Sequence, residues 1–102
     1  MELGQVALSK CGRDKEKYFI VVDIDDNKEF VYISDGDIRK IEKPKKKKIK
    51  HIIPLHIEET LNTKLVNGIK VTNSELKKCI RNISEQSTNI NFDNSVSVNE
   101  GG

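Results

Sequence analysis

The sequence predicts a small, mainly β protein with a minor helical part, its strands closing into a compact barrel or sandwich. Three observations carry this. The first half holds short runs of β-branched and aromatic residues. Turns rich in Asp, Asn, Ser and Gly separate them, and helical periodicity begins only after Pro54. Short strands with tight turns favour closure, because so small a sheet otherwise exposes its edges. A chain of 102 residues has room for one such domain and a tail.

Gln5-Val6-Ala7-Leu8-Ser9 alternates polar and apolar, the period-2 signal of a half-buried strand with Val6 and Leu8 on one face. The polar stretch from Cys11 to Lys17 is a loop. Tyr18 to Ile24 is too short for a buried helix and rich in strand formers, so it is the second strand. Asp25-Asp26-Asn27-Lys28 is turn chemistry, since Asp and Asn close Asx turns and tolerate the left-handed region. Phe30 to Ile33 is the third strand, Ser34-Asp35-Gly36-Asp37 a turn, and Ile38 to Ile41 a short fourth strand. Ile49 to Ile53 is the fifth, and Pro54 is expected to break it.

Beyond Pro54, Ile57, Leu61 and Leu65 stand four apart, the stripe of a short amphipathic helix, and Gly68 is placed as its left-handed stop. Thr72 and Glu75 form a capping box, with Val71 and Leu76 at the hydrophobic-staple positions. Leu76, Cys79, Ile80 and Ile83 make the apolar face of this second short helix, and Lys77, Lys78 and Arg81 read as its solvated face. From 85 on the chain has few apolar residues and many Asn and Ser, the composition of a disordered tail. The expected organisation is therefore a barrel over 1–53, a two-helix extension over 54–84 and a tail over 85–102.

Charge is concentrated in one place. Between Arg39 and Lys50 stand eight basic side chains, Arg39, Lys40, Lys43, Lys45, Lys46, Lys47, Lys48 and Lys50, against the single acid Glu42, a local charge of +7 in a chain whose formal net charge is +2. Such lysines repel one another, and a polyanion relieves that repulsion while releasing condensed counterions. A bare lysine run is as compatible with a solvated loop or a nuclear-localisation-type signal. A second basic segment, with Lys10, Arg13, Lys15 and Lys17, frames the first strand turn. In a closed barrel the two segments can share one side. Pro44 favours an extended backbone, so the lysines after it are expected as an arm that tracks phosphates without reading bases. The aromatics Tyr18, Phe19, Phe30 and Tyr32 sit in strand patterns and are expected in the core, so a bound polyanion is expected to be held through its backbone and shape, without stacking on exposed rings.

The order of these features resembles a known family. Gly4 to Lys15 followed by Phe19 to Ile24 is similar to the KOW motif of RNA-binding and ribosomal proteins. The later pieces Val22-Asp23-Ile24, Ile33-Ser34-Asp35-Gly36 and Ile38-Arg39-Lys40 resemble the branch of archaeal and eukaryotic large-subunit ribosomal proteins and their small bacterial relatives. The resemblance covers residues 1–53. It implies an SH3-like five-stranded barrel and contact with structured RNA, in particular ribosomal RNA of the large subunit. Glu16 departs from the pattern: the family often has glycine there, which supplies positive φ, and Glu16 sets an acid in a loop expected to face RNA.

Several classes are disfavoured. Phosphate-cradling glycine loops and nucleophile–base arrangements are missing, so an enzyme is not expected, and no cofactor is called for. Cys11, Cys79, His51 and His56 match no zinc spacing and read as free thiols and ordinary histidines. No apolar run nears the roughly 20 residues of a membrane span, and mean hydropathy is −0.56, so a cytoplasmic protein is expected. The leading expectation is a non-enzymatic RNA-binding protein associated with the ribosome. The alternative is a protein-interaction module for an acidic partner.

Overall fold

The computed structural model describes residues 1–13 and 15–96, the side chains of 86–96 excepted. Five strands form one antiparallel sheet: β1 (Gln5–Ser9), β2 (Tyr18–Ile24), β3 (Phe30–Ser34), β4 (Lys45–Lys48) and β5 (Ile52–Ile57). Their order is β4-β3-β2-β1-β5. Two helices follow, α1 (Glu59–Val66) and α2 (Asn73–Val96). The expected mainly β class with two helices is what the chain adopts.

The sheet is strongly curled. Its edges are β4 and β5, yet only the three-residue 3₁₀ turn Ile49–His51 joins them. Five flat strands would hold their edges about 19 Å apart, and a 3₁₀ turn rises only about 2 Å per residue. Register shifts in β2 between Val21 and Asp23, and in β1 between Gln5 and Ala7, supply local twist.

Curling buries both sides of the central strands. Ala7, Phe19, Val21, Val31, Ile33 and Ile52 fill the concave side. On the convex side Val6 and Ile20 join Leu61 of α1 and Val71, Leu76 and Ile83 of the second helical unit. Val6 and Ala7 are therefore neighbours in sequence and both fully buried, where simple alternation predicts a half-buried β1. The helices share a core with the sheet, and the boundary expected at 53/54 falls inside β5.

Three strand expectations need correction. Residues 38–41 are a loop, because the Asp35 carboxylate gathers it. Asp35 Oδ1 accepts the N–H groups of Asp37 and Arg39, each at 2.9 Å, while Asp35 and Gly36 donate their N–H groups to Arg39 O. The fourth strand is instead the lysine run, Lys45–Lys48, which supplies β3 with its second backbone partner. It is neither an arm nor a loop. Pro54 lies within β5, opposite Ala7, at a sheet edge where a missing N–H is tolerated. Ile57 consequently ends β5 and lies outside the first helix.

The helices are fastened at defined points. Gly4 (φ 81°) and Gly36 (φ 79°) adopt left-handed backbone in close contact with α1 and α2. A Cβ on Gly36 would stand 2.2 Å from Asn73 O, and one on Gly4 2.6 Å from Asn62 N. Asn73 clamps the β3–β4 loop to the start of α2, accepting Ile41 N–H and donating to Glu42 Oε1, both at 2.8 Å. The bond from Asn73, the backbone N–H of Glu42 itself and the nearby Lys40 and Lys70 hold the Glu42 carboxyl below its ordinary range. The capping box forms: Thr72 N–H donates to Glu75 Oε1 at 3.0 Å and Glu75 N–H to Thr72 Oγ1 at 3.2 Å. Gly68 takes φ 72° just after α1, as the stop signal requires.

α2 continues to Val96, with 24 residues, where the sequence predicts a helix ending near Ile83 and a tail from 85. The expectation of a disordered tail at 97–102 lies outside the described residues.

Candidate nucleic-acid interface

β4 alternates its lysines between the two sides of the sheet. Lys45 and Lys47 stand opposite Ile33 and Val31, which are buried on the concave side; Lys46 and Lys48 stand opposite Tyr32 and Phe30 on the convex side. A lysine can occupy an inward position because its methylene stem packs against apolar neighbours while the ammonium reaches a polar partner. Lys47 does this. It is 8% exposed, and its Nζ donates to Cys11 O at 2.9 Å.

That bond joins the two basic segments foreseen in the sequence. Cys11 belongs to the loop between β1 and β2, and its carbonyl also accepts Ser9 Oγ at 3.1 Å. Lys10 N–H donates to His51 O at 2.9 Å, on the turn directly after β4. The loop is thus held against the lysine run at two points. Lys10, Arg13, Lys15 and Lys17 are exposed on it, and Lys46, Lys48 and Lys50 are exposed on and after β4. Lys45 is partly buried. Lys47 is a structural tie: the residue is buried and its ammonium is engaged by the Cys11 carbonyl.

Arg39, Lys40 and Lys43 belong to the β3–β4 loop. Lys40 and Lys43 are exposed and Arg39 is partly buried. The loop bonds described above fasten this group to α2, beyond the Lys45 end of β4. The α2 cations behave as a solvated face: Lys77 and Arg81 line a shallow groove together with Asp35 and Asp37, so acids already accompany them.

The β1–β2 loop carries one backbone feature with a cost. Glu16 has φ 68°, the left-handed region, and its N–H donates to Ser9 O at 2.8 Å. A glycine position is therefore filled by an acid in strained backbone.

The aromatics divide. Phe19 is 1% exposed and in the core, and Tyr18 packs against the helix-covered cluster. Phe30 and Tyr32 join neither core cluster and are partly exposed on the convex side of β3. Lys46 Nζ lies 4.6 Å from the centre of the Phe30 ring. The expectation that all four rings are core fails for this pair, because β3 lies beyond the part of the convex face that the helices cover. Strict alternation with Val31 and Ile33 was the available signal.

The remaining reactive groups are quiet. Burial, with the nearby Glu58 carboxylate, raises the Cys79 thiol to about 11. Cys11 and Cys79 are both free. Among the described residues no cluster of three or more His, Cys, Asp or Glu side chains could hold a metal ion, and no helix is long and apolar enough to cross a membrane. No family model matches this chain, and no curated protein matches it.

Proposed function

We propose that this chain is a non-enzymatic, cytoplasmic RNA-binding protein whose curled sheet is an SH3-like barrel of the KOW type, and that it binds ribosomal RNA on the large subunit. The observation that carries the reading is the Lys47–Cys11 bond. It holds the loop bearing Lys10, Arg13, Lys15 and Lys17 beside the strand bearing Lys46 and Lys48, so that two basic segments act as one footprint. Cations spaced along a rigid strand and a tethered loop suit the phosphates of a folded RNA, and they fix position without reading bases. The short link between β4 and β5 supports the barrel, and the order of motifs along residues 1–53 supports RNA and the ribosome as the target.

Two measurements test this. If about six phosphates are neutralised, the logarithm of the affinity for ribosomal RNA falls against the logarithm of salt with a slope of about −4 to −5. An affinity independent of salt rules the reading out. Sedimentation of tagged protein through a gradient of native lysate, at low and high salt and after RNase, tests the location. Co-migration with the large subunit that high salt abolishes is the expected result. Protein that stays at the top in every condition excludes ribosome association, and capture by an acidic protein that RNA fails to displace favours an interaction module instead.

A further inference from the structure

Phosphate contacts leave Phe30 and Tyr32 without a role. Their side chains stand about 7 Å apart along β3, since alternate residues of a strand share a face. Lys48 lies directly across from Phe30 and Lys46 directly across from Tyr32. The four side chains form a patch two residues wide, with the rings on β3, the lysines on the edge strand β4 and the Lys46 ammonium reaching over the Phe30 ring. Both rings are partly exposed and outside the core. A large aromatic that adds nothing to a core is an unusual tenant of so small a domain, and this chain places two side by side.

We infer that the convex face of β3 and β4 is a stacking platform for an unpaired segment of RNA, with bases on Tyr32 and Phe30 and the backbone running along Lys46 and Lys48. The inference rests on the RNA-binding reading above and adds to it the class of ligand, a single strand. Charge fixes the direction of the strand's backbone. Asp23 stands across from Tyr32 on the inner side, its Oδ1 accepting Ile24 N–H at 2.8 Å, and its carboxylate repels phosphate from that border. The lysines attract phosphate to the other. A nucleotide therefore lies with its phosphate over β4 and its base over β3. In the free protein Lys46 covers Phe30 at 4.6 Å. An exposed cation–π contact is weaker than a base stack, so a strand can displace Lys46 to a phosphate and take the ring. Tyr32 is the other stacking surface. Stacking of this kind tolerates any base, because every base has a π face.

The test is fluorescence anisotropy of the full chain with a labelled oligouridylate and with a blunt RNA duplex of equal length, each over a salt series. Tyr32→Leu keeps an apolar strand residue and removes the ring. It is expected to weaken oligouridylate binding at least about fivefold, to leave duplex binding unchanged and to keep the salt slope, because no cation is lost. Tyr32→Phe is expected to bind as the native chain does. With Tyr18→Phe in place Tyr32 is the sole tyrosine, and oligouridylate is expected to quench its emission. Oligouridylate binding that Tyr32→Leu leaves intact, or a loss shared equally by the duplex, overturns the platform while the phosphate footprint stands. Failure of the native chain to bind either RNA in a salt-dependent way overturns both.

Discussion

Over β1 and β2 the convex face of the sheet carries Val6 and Ile20 and is buried beneath α1 and α2; over β3 and β4 the same face carries Phe30, Tyr32, Lys46 and Lys48 and stays open. The two halves share strands of similar length and one hydrogen-bonded ladder. Side-chain chemistry alone separates them. An aliphatic half requires a cover and obtains one from the amphipathic helices. A half made of lysines and rings needs no such cover, because its cations Lys46 and Lys48 stay exposed and Lys46 lies over the Phe30 ring. The helix-covered side therefore contributes to the fold and the bare side is the one proposed to bind, and substitutions should separate the two.

The largest expected effect is on the covered side. Leu76 is fully buried between α2 and the sheet. Leu76→Ala should cost about 2–5 kcal/mol, from lost burial and an unfilled cavity, measured by urea denaturation. At temperatures where the variant remains folded its RNA affinity should match the native chain. A folded variant with much weaker binding would show that the two halves are not independent.

Lys47 is where the comparison is sharpest, since it is a basic residue of the run that serves the fold. Lys47→Met keeps the stem and removes the bond to Cys11 O. The expected stability loss is about 1–2 kcal/mol. RNA affinity should fall several-fold as the loop comes loose, with the salt slope unchanged because Lys47 reaches no phosphate. Lys46→Gln and Lys48→Gln should behave in the opposite way, leaving stability nearly constant and each reducing the slope by about 0.7–0.9. If Lys47→Met reduces the slope as they do, Lys47 belongs with the phosphate ligands.

The capping box gives a smaller effect and a pH dependence. Lys64 Nζ donates to Glu75 Oε2 at 2.5 Å, and with the Thr72 N–H bond it holds the Glu75 carboxyl below its ordinary value of 4.5. A carboxyl lowered by folding adds stability above 4.5, and that stability is lost as pH falls through the lower folded value. Thr72→Ala should cost about 1 kcal/mol at neutral pH. Glu75→Gln should flatten the acid limb of the stability profile below pH 4.5, leaving RNA binding at neutral pH as it was.

Local chemistry made some elements legible and long-range geometry hid others. The capping box, the Gly68 stop, and the strands Gln5–Ser9 and Tyr18–Ile24 are written in neighbouring residues, and they stand where the sequence placed them. Lys45–Lys48 was misread because four lysines carry no strand pattern. Only the need of β3 for a backbone partner makes them one, and that need is visible in three dimensions. Ile38–Ile41 was misread for the converse reason: it has strand-like residues, but the Asp35 carboxylate closes the loop on itself. The basic residues of the candidate interface were visible as charge. Which of them is buried was not, since inward and outward lysines are identical in sequence.

Glu16 offers the smallest change and a gain on both counts. Its left-handed φ of 68° costs a side chain about 1 kcal/mol that glycine does not pay, partly offset by the greater freedom of glycine in the unfolded chain. Glu16→Gly should therefore be neutral to stabilising by about 0.5 kcal/mol. It also removes an acid from a loop whose exposed charges are otherwise Lys10, Arg13, Lys15 and Lys17 among the described residues. RNA affinity should rise, most at low salt, where an exposed charge is least screened. Glu16→Gln removes the charge and keeps the strained backbone. If affinity rises equally in the two variants, the loop's contribution is electrostatic. A rise confined to Glu16→Gly would instead assign the gain to backbone relaxation and place the loop in direct contact with RNA.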